Sequence, residues 1–234
     1  MSSSSAGPIG RERLSDQAYR QIRDAIIALQ LEPGAPLVDK ALSEWLGIGL
    51  TPVRDALKRL TLERLAVSYP ARGTYVSAIN IADESQLTEV RVQLEGLAAS
   101  LAAERATPAQ KQTLLELVAD LELEFDNRSA HTELDVRVHR AVYAATRNEF
   151  LEATLNQYAN LAMRIWNLGL NREPVEMAHV RSQRDVVDAV VRGDPLGARQ
   201  AAEQHLLGFS TTVRTAMRPG SADGSLHERG LPSE

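Results

Sequence analysis

The sequence predicts a mainly α chain, with an N-terminal winged helix-turn-helix followed by a C-terminal all-α helical bundle. Apolar residues recur almost throughout at helical spacing. The only short β-like pieces, Ala66 to Tyr69 and Thr74 to Val76, flank one Pro70-Ala71-Arg72-Gly73 turn. Charge is uneven along the chain: residues 1–80 carry ten basic and eight acidic side chains, a net of +2, whereas residues 81–234 carry sixteen and twenty-three, a net of −7. The first part suits a polyanion and the second does not.

The elements follow in order. A first helix places Leu14, Ala18, Ile22, Ile26 and Leu29 on one face and stops before Glu32-Pro33-Gly34, a turn signal. A second runs from about Asp39 to Leu46. After Gly47-Ile48-Gly49, Thr51 is expected as an N-cap and Pro52 as the first helical residue, with Val53, Ala56, Leu57 and Leu60 turned inward. The hairpin comes next, and a boundary near 77–82 divides an N-terminal domain, 11–78, from a helical domain, 79–217. There, a helix from Asp83 carries the apolar stripe Leu87, Val90, Leu94, Leu97 and Leu101. Thr107-Pro108 opens the next helix through Phe125, followed by helices over about 132–146, 149–168 and 174–192, and a last one from Asp194-Pro195 to about Met217. Residues 1–10 and 218–234 are polar and aperiodic and are expected to be disordered tails.

Composition removes several function classes. With no cysteine, disulfide frameworks, thiolate zinc sites, iron–sulfur clusters and cysteine nucleophiles are excluded, so any metal must use His, Asp, Glu or amide ligands. No apolar stretch approaches the roughly 20 residues of a bilayer span, and the start MSSSSAGPIG has neither a basic nor an apolar region. The expectation is a cytoplasmic protein with no membrane partner. P-loops, serine elbows and glycosidase-like carboxylate pairs do not occur.

In the N-terminal module, the inward stripe of the third helix leaves Arg54, Lys58 and Arg59 outward. Such charges alone read as a solvated face; on the second helix of a helix-turn-helix with a wing they read as a DNA interface. Arg54 lies in the first turn, where a recognition helix meets base edges, and arginine binds guanine bidentately. Thr51, Lys40 and the unsatisfied N–H groups at the helix start suit phosphates. Arg72-Gly73 forms the wing tip. The PG-x-x-L turn, the TPVR-x-AL-x-RL helix and the RG-x-x-V wing, in that order over about 63 residues, resemble the DNA-binding domain of GntR-family transcription regulators. By that likeness Thr51, Arg54 and Arg72-Gly73 would touch DNA. Gly49 and Leu50 stand where that family usually has a small hydroxyl residue and an arginine, and Arg64 stands where it often has glycine.

In the helical module, Arg91 flanks the stripe of its helix one turn before Glu95. It either pairs internally with that carboxylate or serves a bound anion, and the two roles can coexist. Asp135 and His139 at i, i+4 share one helix face and together suit a divalent cation. His205 lies between Ala202 and Phe209 and is expected to point inward, as a satisfied core residue or a ligand. Gln183 falls in the stripe Val180, Gln183, Val187, Val190, where an amide without partners costs roughly 1–3 kcal/mol. Asp135, His139, His205 and Gln183 are expected to converge on one polar pocket.

The order of Arg91/Glu95, Asp135/His139 and Ala201/His205 resembles the all-helical effector (FCD) domain of the FadR subgroup of GntR regulators. That resemblance implies a homodimer, a small organic-acid effector, and in metal-containing members one Asp and three His around a divalent ion such as Zn, Ni or Mn. Here Asp135, His139 and His205 would be the metal ligands, with Gln183 joining them directly or through water; Arg91 and Gln183 would face the effector, and Gln183 stands at the position of the middle His. A neutral amide is a poorer ligand than imidazole for such ions. His179, one turn earlier, could substitute, though it sits about 6 Å along the helix axis. The expected function is a DNA-binding transcription regulator, a repressor, released by a small carboxylate that favours one arrangement of two winged helices on an operator duplex. Two alternatives stay in view: a metal-free fatty-acyl thioester sensor, which would not need the Asp/His set, and a non-haem metal enzyme using a two-His, one-carboxylate triad.

Overall fold

The computed structural model describes residues 13–80, 82–169 and 177–216. Contacts divide the chain into two units: residues up to 84 together with 156–168, and residues 85–155 together with those from 169 onward. The tails expected at 1–10 and 218–234, and the helix start expected at Pro174, lie outside the described residues.

The first unit contains α1 (Leu14–Ile27), α2 (Asp39–Leu46), α3 (Leu50–Leu62) and a hairpin of β1 (Ala66–Tyr69) and β2 (Gly73–Val76). Ala18, Ile22 and Ile26 of α1 share one buried cluster with Val53, Leu57 and Leu60 of α3, closed by Leu65 and Val76. Leu14, expected on the inner face, is exposed, and Leu29 lies beyond the helix end at φ 59°. Tyr19 and Ala25 fill the face instead. The Tyr19 hydroxyl donates to Glu63 Oε2 at 2.5 Å, and the Arg59 guanidinium sits 3.6 Å from the centre of the ring. Burial, aided by Glu63, pushes the Tyr19 hydroxyl up to about 12. Arg59 also meets Glu63 Oε1 at 3.0 Å, so it helps to hold α1 on α3 as a cation over an aromatic face.

α3 starts two residues before the expected point. Gly49, extended at φ −62° and ψ 162°, is its N-cap, and Thr51 and Pro52 are its second and third residues. Proline is tolerated there because the first four N–H groups of a helix have no intrahelical partner. The hairpin is antiparallel with Ala66 opposite Val76 and Tyr69 opposite Gly73, and its turn uses Ala71 at φ 57° and Gly73 at φ 94°. Arg64, just before Leu65, is also left-handed, at φ 63°. This backbone conformation explains why glycine suits the position.

Residues 156–168 of α7 (Glu149–Gly169) pack within this same unit. Leu161 rests on the apolar cluster, and the buried Arg164 donates to the hydroxyl of Ser77 at 2.6 Å and to its carbonyl. Asn167 donates to the Ile27 carbonyl at 2.8 Å. No periodicity in the sequence signals this, because the contacts are made by polar tips and not by a stripe.

The second unit contains most of α4 (Ala82–Arg105), with α5 (Pro108–Leu123), α6 (Arg128–Ala145), the first part of α7, α8 (Met177–Arg192) and α9 (Pro195–Ala216). A capping box starts α5: the Gln110 N–H donates to Thr107 Oγ1 at 3.2 Å, and the Thr107 N–H donates to Gln110 Oε1 at 3.0 Å. α8 packs on α9 and α5, and α5 packs on α6.

α4 turns a different face inward from the one its leucines suggest. Arg91, Val92, Glu95, Ala98, Ala99 and Ala102 are buried, whereas Val90 is 43% and Leu97 39% exposed and Leu87, Leu94 and Leu101 are half-buried. Small residues allow close approach: a side chain on Gly96 would collide with Glu203 and Arg199 of α9. The inward charges are paired, with Arg91 Nε donating to Glu95 Oε1 at 2.8 Å. Burial alone would raise the Glu95 carboxyl, but the Arg91 guanidinium and the His139 imidazole hold it down at about 2.

Two outcomes follow for stability. Arg64→Gly should raise unfolding free energy by about 0.5–1 kcal/mol, read from denaturant midpoints, by relieving the left-handed strain. Arg91→Met should cost about 3–5 kcal/mol near neutral pH, because it leaves Glu95 buried without its cation. Glu95 is depressed from an ordinary 4.5 to about 2, so its contribution is complete above about 4.5 and lost as pH falls toward 2. The deficit of Arg91→Met should therefore narrow on acidification through that window; a constant deficit would contradict the pairing.

Candidate functional site

On the first unit, the outward face of α3 presents Leu50, Thr51, Arg54, Asp55 and Lys58, all exposed. Arg54 Nε lies 2.6 Å from Asp39 Oδ2 at the start of α2, and Lys58 Nζ lies 3.2 Å from Asp55 Oδ1. Both pairs are solvent-exposed and so worth at most about 1 kcal/mol, weak enough for a phosphate or base edge to displace the carboxylate. The Arg54–Asp39 pair, which sequence reasoning missed, also ties α2 to α3. Lys40 is almost fully exposed and only 4.0 Å from Glu44. At the wing, Arg72 is exposed between the left-handed Ala71 and Gly73, and its carbonyl accepts from the Tyr75 hydroxyl at 2.9 Å. Lys40, Thr51, Arg54, Lys58, Arg72 and Gly73 thus all lie on the surface of one unit, and no side chain caps the start of α3.

In the second unit, four of the chain's five histidines gather around one carboxylate. α6 carries His131, Asp135 and His139 at i, i+4, i+8; α8 carries His179, Ser182 and Gln183; α9 carries His205; α4 carries Arg91 and Glu95. Asp135 is buried, and its Oδ1 lies 3.1 Å from His179 Nε2 while its Oδ2 lies 3.9 Å from His139 Nε2. One ligand atom each from Asp135, His179 and His205 lie within 4.8 Å of one another. His139 stands at the edge of this group, its ring 5.3 Å from that of His205.

Hydrogen bonds at the back of two rings choose their tautomers. His139 Nδ1 lies 3.0 Å from Glu95 Oε2, a pure acceptor when ionised, so Nδ1 donates and Nε2 is left toward Asp135. Ser182 Oγ donates its single proton to the His179 carbonyl at 2.8 Å and lies 2.8 Å from His205 Nδ1. It therefore accepts from Nδ1–H, and the lone pair of neutral His205 is on Nε2. Carboxylate and hydroxyl partners of this kind orient imidazoles that ligate metals.

Electrostatics agree with this arrangement. Burial opposes ionisation of Asp135, but His179, with His139 and His205, holds its carboxyl well below the usual carboxylate range. Burial would lower His139, yet the Glu95 and Asp135 carboxylates outweigh it and raise its pKa. His205 is pushed well below the usual histidine value by burial, reinforced by His179 and His139. Burial likewise lowers His131, which stacks edge-on against His179 and Phe125. A carboxylate and several imidazole nitrogens gathered in one place are a donor set for Zn, Ni or Mn, so these residues fit a divalent ion.

Gln183 is 1% exposed, and its Oε1 has no hydrogen-bond partner among the described residues. It borders a cavity of about 10 Å³, near the size of one water, with Glu95, His139, Tyr143 and His205. The structure thus brings Asp135, His139, His205, Gln183 and Arg91 into one neighbourhood of the second unit. Sequence reasoning held His179 only as a possible substitute because of its axial offset, which its side chain spans to reach Asp135 at 3.1 Å, and missed His131, whose signal was a histidine four residues before Asp135.

Residues 14–76 match the model of the bacterial regulatory proteins of the gntR family, and residues 86–208 match the FCD domain. The chain is 29% identical over 248 aligned positions to the "Putative L-lactate dehydrogenase operon regulatory protein" of Escherichia coli, covering 95% of this chain and 94% of that one. It is 25% identical to the E. coli transcriptional repressor RspR, covering 89% and 92%. The solved structure of E. coli McbR/YncC superposes with a TM-score of 0.78 at 23% identity, covering 89% of this chain and all of that one, a likeness of fold. With a winged helix-turn-helix matched by one model and a helical unit matched by the other over more than half its length, the chain belongs to the GntR-family transcription regulators that carry an FCD domain, and is a DNA-binding regulator and not an enzyme.

Proposed function

We propose that this chain is a FadR-type homodimeric repressor that leaves its operator when a small organic acid enters the helical unit, where Asp135, His139 and His205 hold a divalent ion. The observation that carries the reading is the approach of Asp135 and His205 to within 4.8 Å in a buried cluster, with Glu95 and Ser182 orienting imidazoles behind it. A metal-free acyl sensor would have no use for that set. When bound, the ion supplies a Lewis-acidic anchor for a carboxylate. Arg91 holds Glu95 ionised, Glu95 fixes His139, and Gln183 offers an acceptor to a hydroxyl or amine borne by the acid. The name of the E. coli relative, taken from the L-lactate dehydrogenase operon, makes 2-hydroxy acids the first effectors to try.

A homodimer is supported by the apolar stripe of α4, which its own unit only partly covers. Leu87, Val90, Leu94, Leu97 and Leu101 alternate spacings of three and four, the a/d pattern of a helix seam. Two-fold symmetry would then place two wings and two α3 helices on half-sites about one helical turn apart.

Two measurements test this. In fluorescence anisotropy at physiological salt, a duplex enriched by in vitro selection should bind about a thousandfold more tightly than its scramble. L-lactate or a related hydroxy acid should weaken that binding in the metal-loaded protein and not after chelation. Equal, salt-sensitive binding to both duplexes, or release by fatty-acyl thioesters in chelated protein, would refute the proposal. Leu97→Glu should convert a dimer to a folded monomer in light scattering and weaken operator binding; an unchanged mass would remove α4 from the interface.

A further inference from the structure

One imidazole is missing from the pattern that the helical domain resembles, and another stands where no pattern puts it. Gln183 occupies the position of the middle His, and its buried amide oxygen has no hydrogen-bond partner among the described residues. It lies beside Glu95, His139 and His205 along a small cavity. His179, four residues earlier on α8, is in the mutually close set of ligand atoms: Nε2 faces Asp135 Oδ1 at 3.1 Å, and its ring centre is 4.5 Å from that of His205. A side chain one turn away on the same helix face reaches the same neighbourhood, as the approach of His179 Nε2 to Asp135 shows.

We infer that His179 has taken over as the third imidazole ligand of the divalent ion, and that Gln183 is not a ligand but an acceptor facing the adjoining cavity. The inference rests on the metal reading proposed above and adds a residue exchange particular to this chain. Ser182 supports it from a separate direction, since one hydroxyl accepts from His205 Nδ1 and donates to the His179 carbonyl, joining the α8 and α9 ligands. On this account the set is Asp135, His139, His179 and His205: one carboxylate oxygen and three imidazole nitrogens, a closed four-donor shell for Zn and an open one for ions of higher coordination number.

The test uses the full-length chain stripped by chelator, with Zn titrated against a chromophoric competitor and Co(II) as a visible-spectrum reporter. Wild type should take one ion per chain. His179→Ala should weaken Zn binding at least 10–100-fold and change the Co(II) spectrum, whereas Gln183→Ala should stay within about threefold of wild type. The double variant His179→Ala/Gln183→His should regain the ion, which a merely structural role for His179 would not allow, and circular dichroism should show all variants folded. Wild-type affinity in His179→Ala, loss of the ion in Gln183→Ala, or failure of the double variant to recover it would overturn the exchange while leaving the metal reading intact. A wild type that binds no ion would overturn both.

Discussion

Burying two carboxylates in an all-helical unit sets the terms for everything around them. Glu95 and Asp135 are both nearly inaccessible, and an isolated buried carboxylate would cost several kcal/mol or take up a proton. Each is instead surrounded by cations or potential cations: Arg91 and His139 for the first, His179, His139 and His205 for the second. That need explains why α4 turns Arg91 and Glu95 fully inward while Leu87, Leu94 and Leu101 are only half-buried and Leu97 is exposed. It also explains why three separate helices, α6, α8 and α9, bring histidines to one place.

The DNA-binding unit follows a different economy. Its core is an ordinary apolar one, and its polar contacts are at the rim: Tyr19 with Glu63 and Arg59, Arg54 with Asp39, Lys58 with Asp55. The first of these is partly buried and secures α1 on α3. The other two are exposed and weak, so the cations of α3 are positioned without being consumed. Leu50 at the helix tip, 43% exposed, has no charge to offer a phosphate. The exposed polar side chains near this end are those of Lys40, Thr51 and Arg54.

Much of this was legible before any coordinates. The bounds of α2, the hairpin around Arg72-Gly73 and the cap at Thr107 rest on local chemistry: a turn signal, a cap followed by proline, an i, i+4 stripe. So does the shared face of Asp135 and His139. What escaped depends on partners distant in sequence. The leucine stripe of α4 is more conspicuous than its alanines, but small residues let α9 approach while a 3-4-3-4 stripe suits a second helix, so amphipathicity pointed the wrong way. Thr51-Pro52 has the form of a cap and first residue, yet Gly49 extends the helix by a turn's start. His179 was legible as a possible substitute one turn from Gln183, but its approach to Asp135 depends on a side-chain reach that backbone spacing does not give. The placement of residues 156–168 with the first unit rests on Arg164, Leu161 and Asn167, and no local rule announces it.

The most direct test of a cation-holding centre built on Asp135 is the first coordination shell of the loaded protein, read by X-ray absorption at the Zn edge. The account predicts three imidazole nitrogens and a carboxylate oxygen, with outer-shell scattering from three rings. A shell of water oxygens with one imidazole or none would contradict it, and would leave the buried histidines as counter-charges for Asp135 and Glu95 alone.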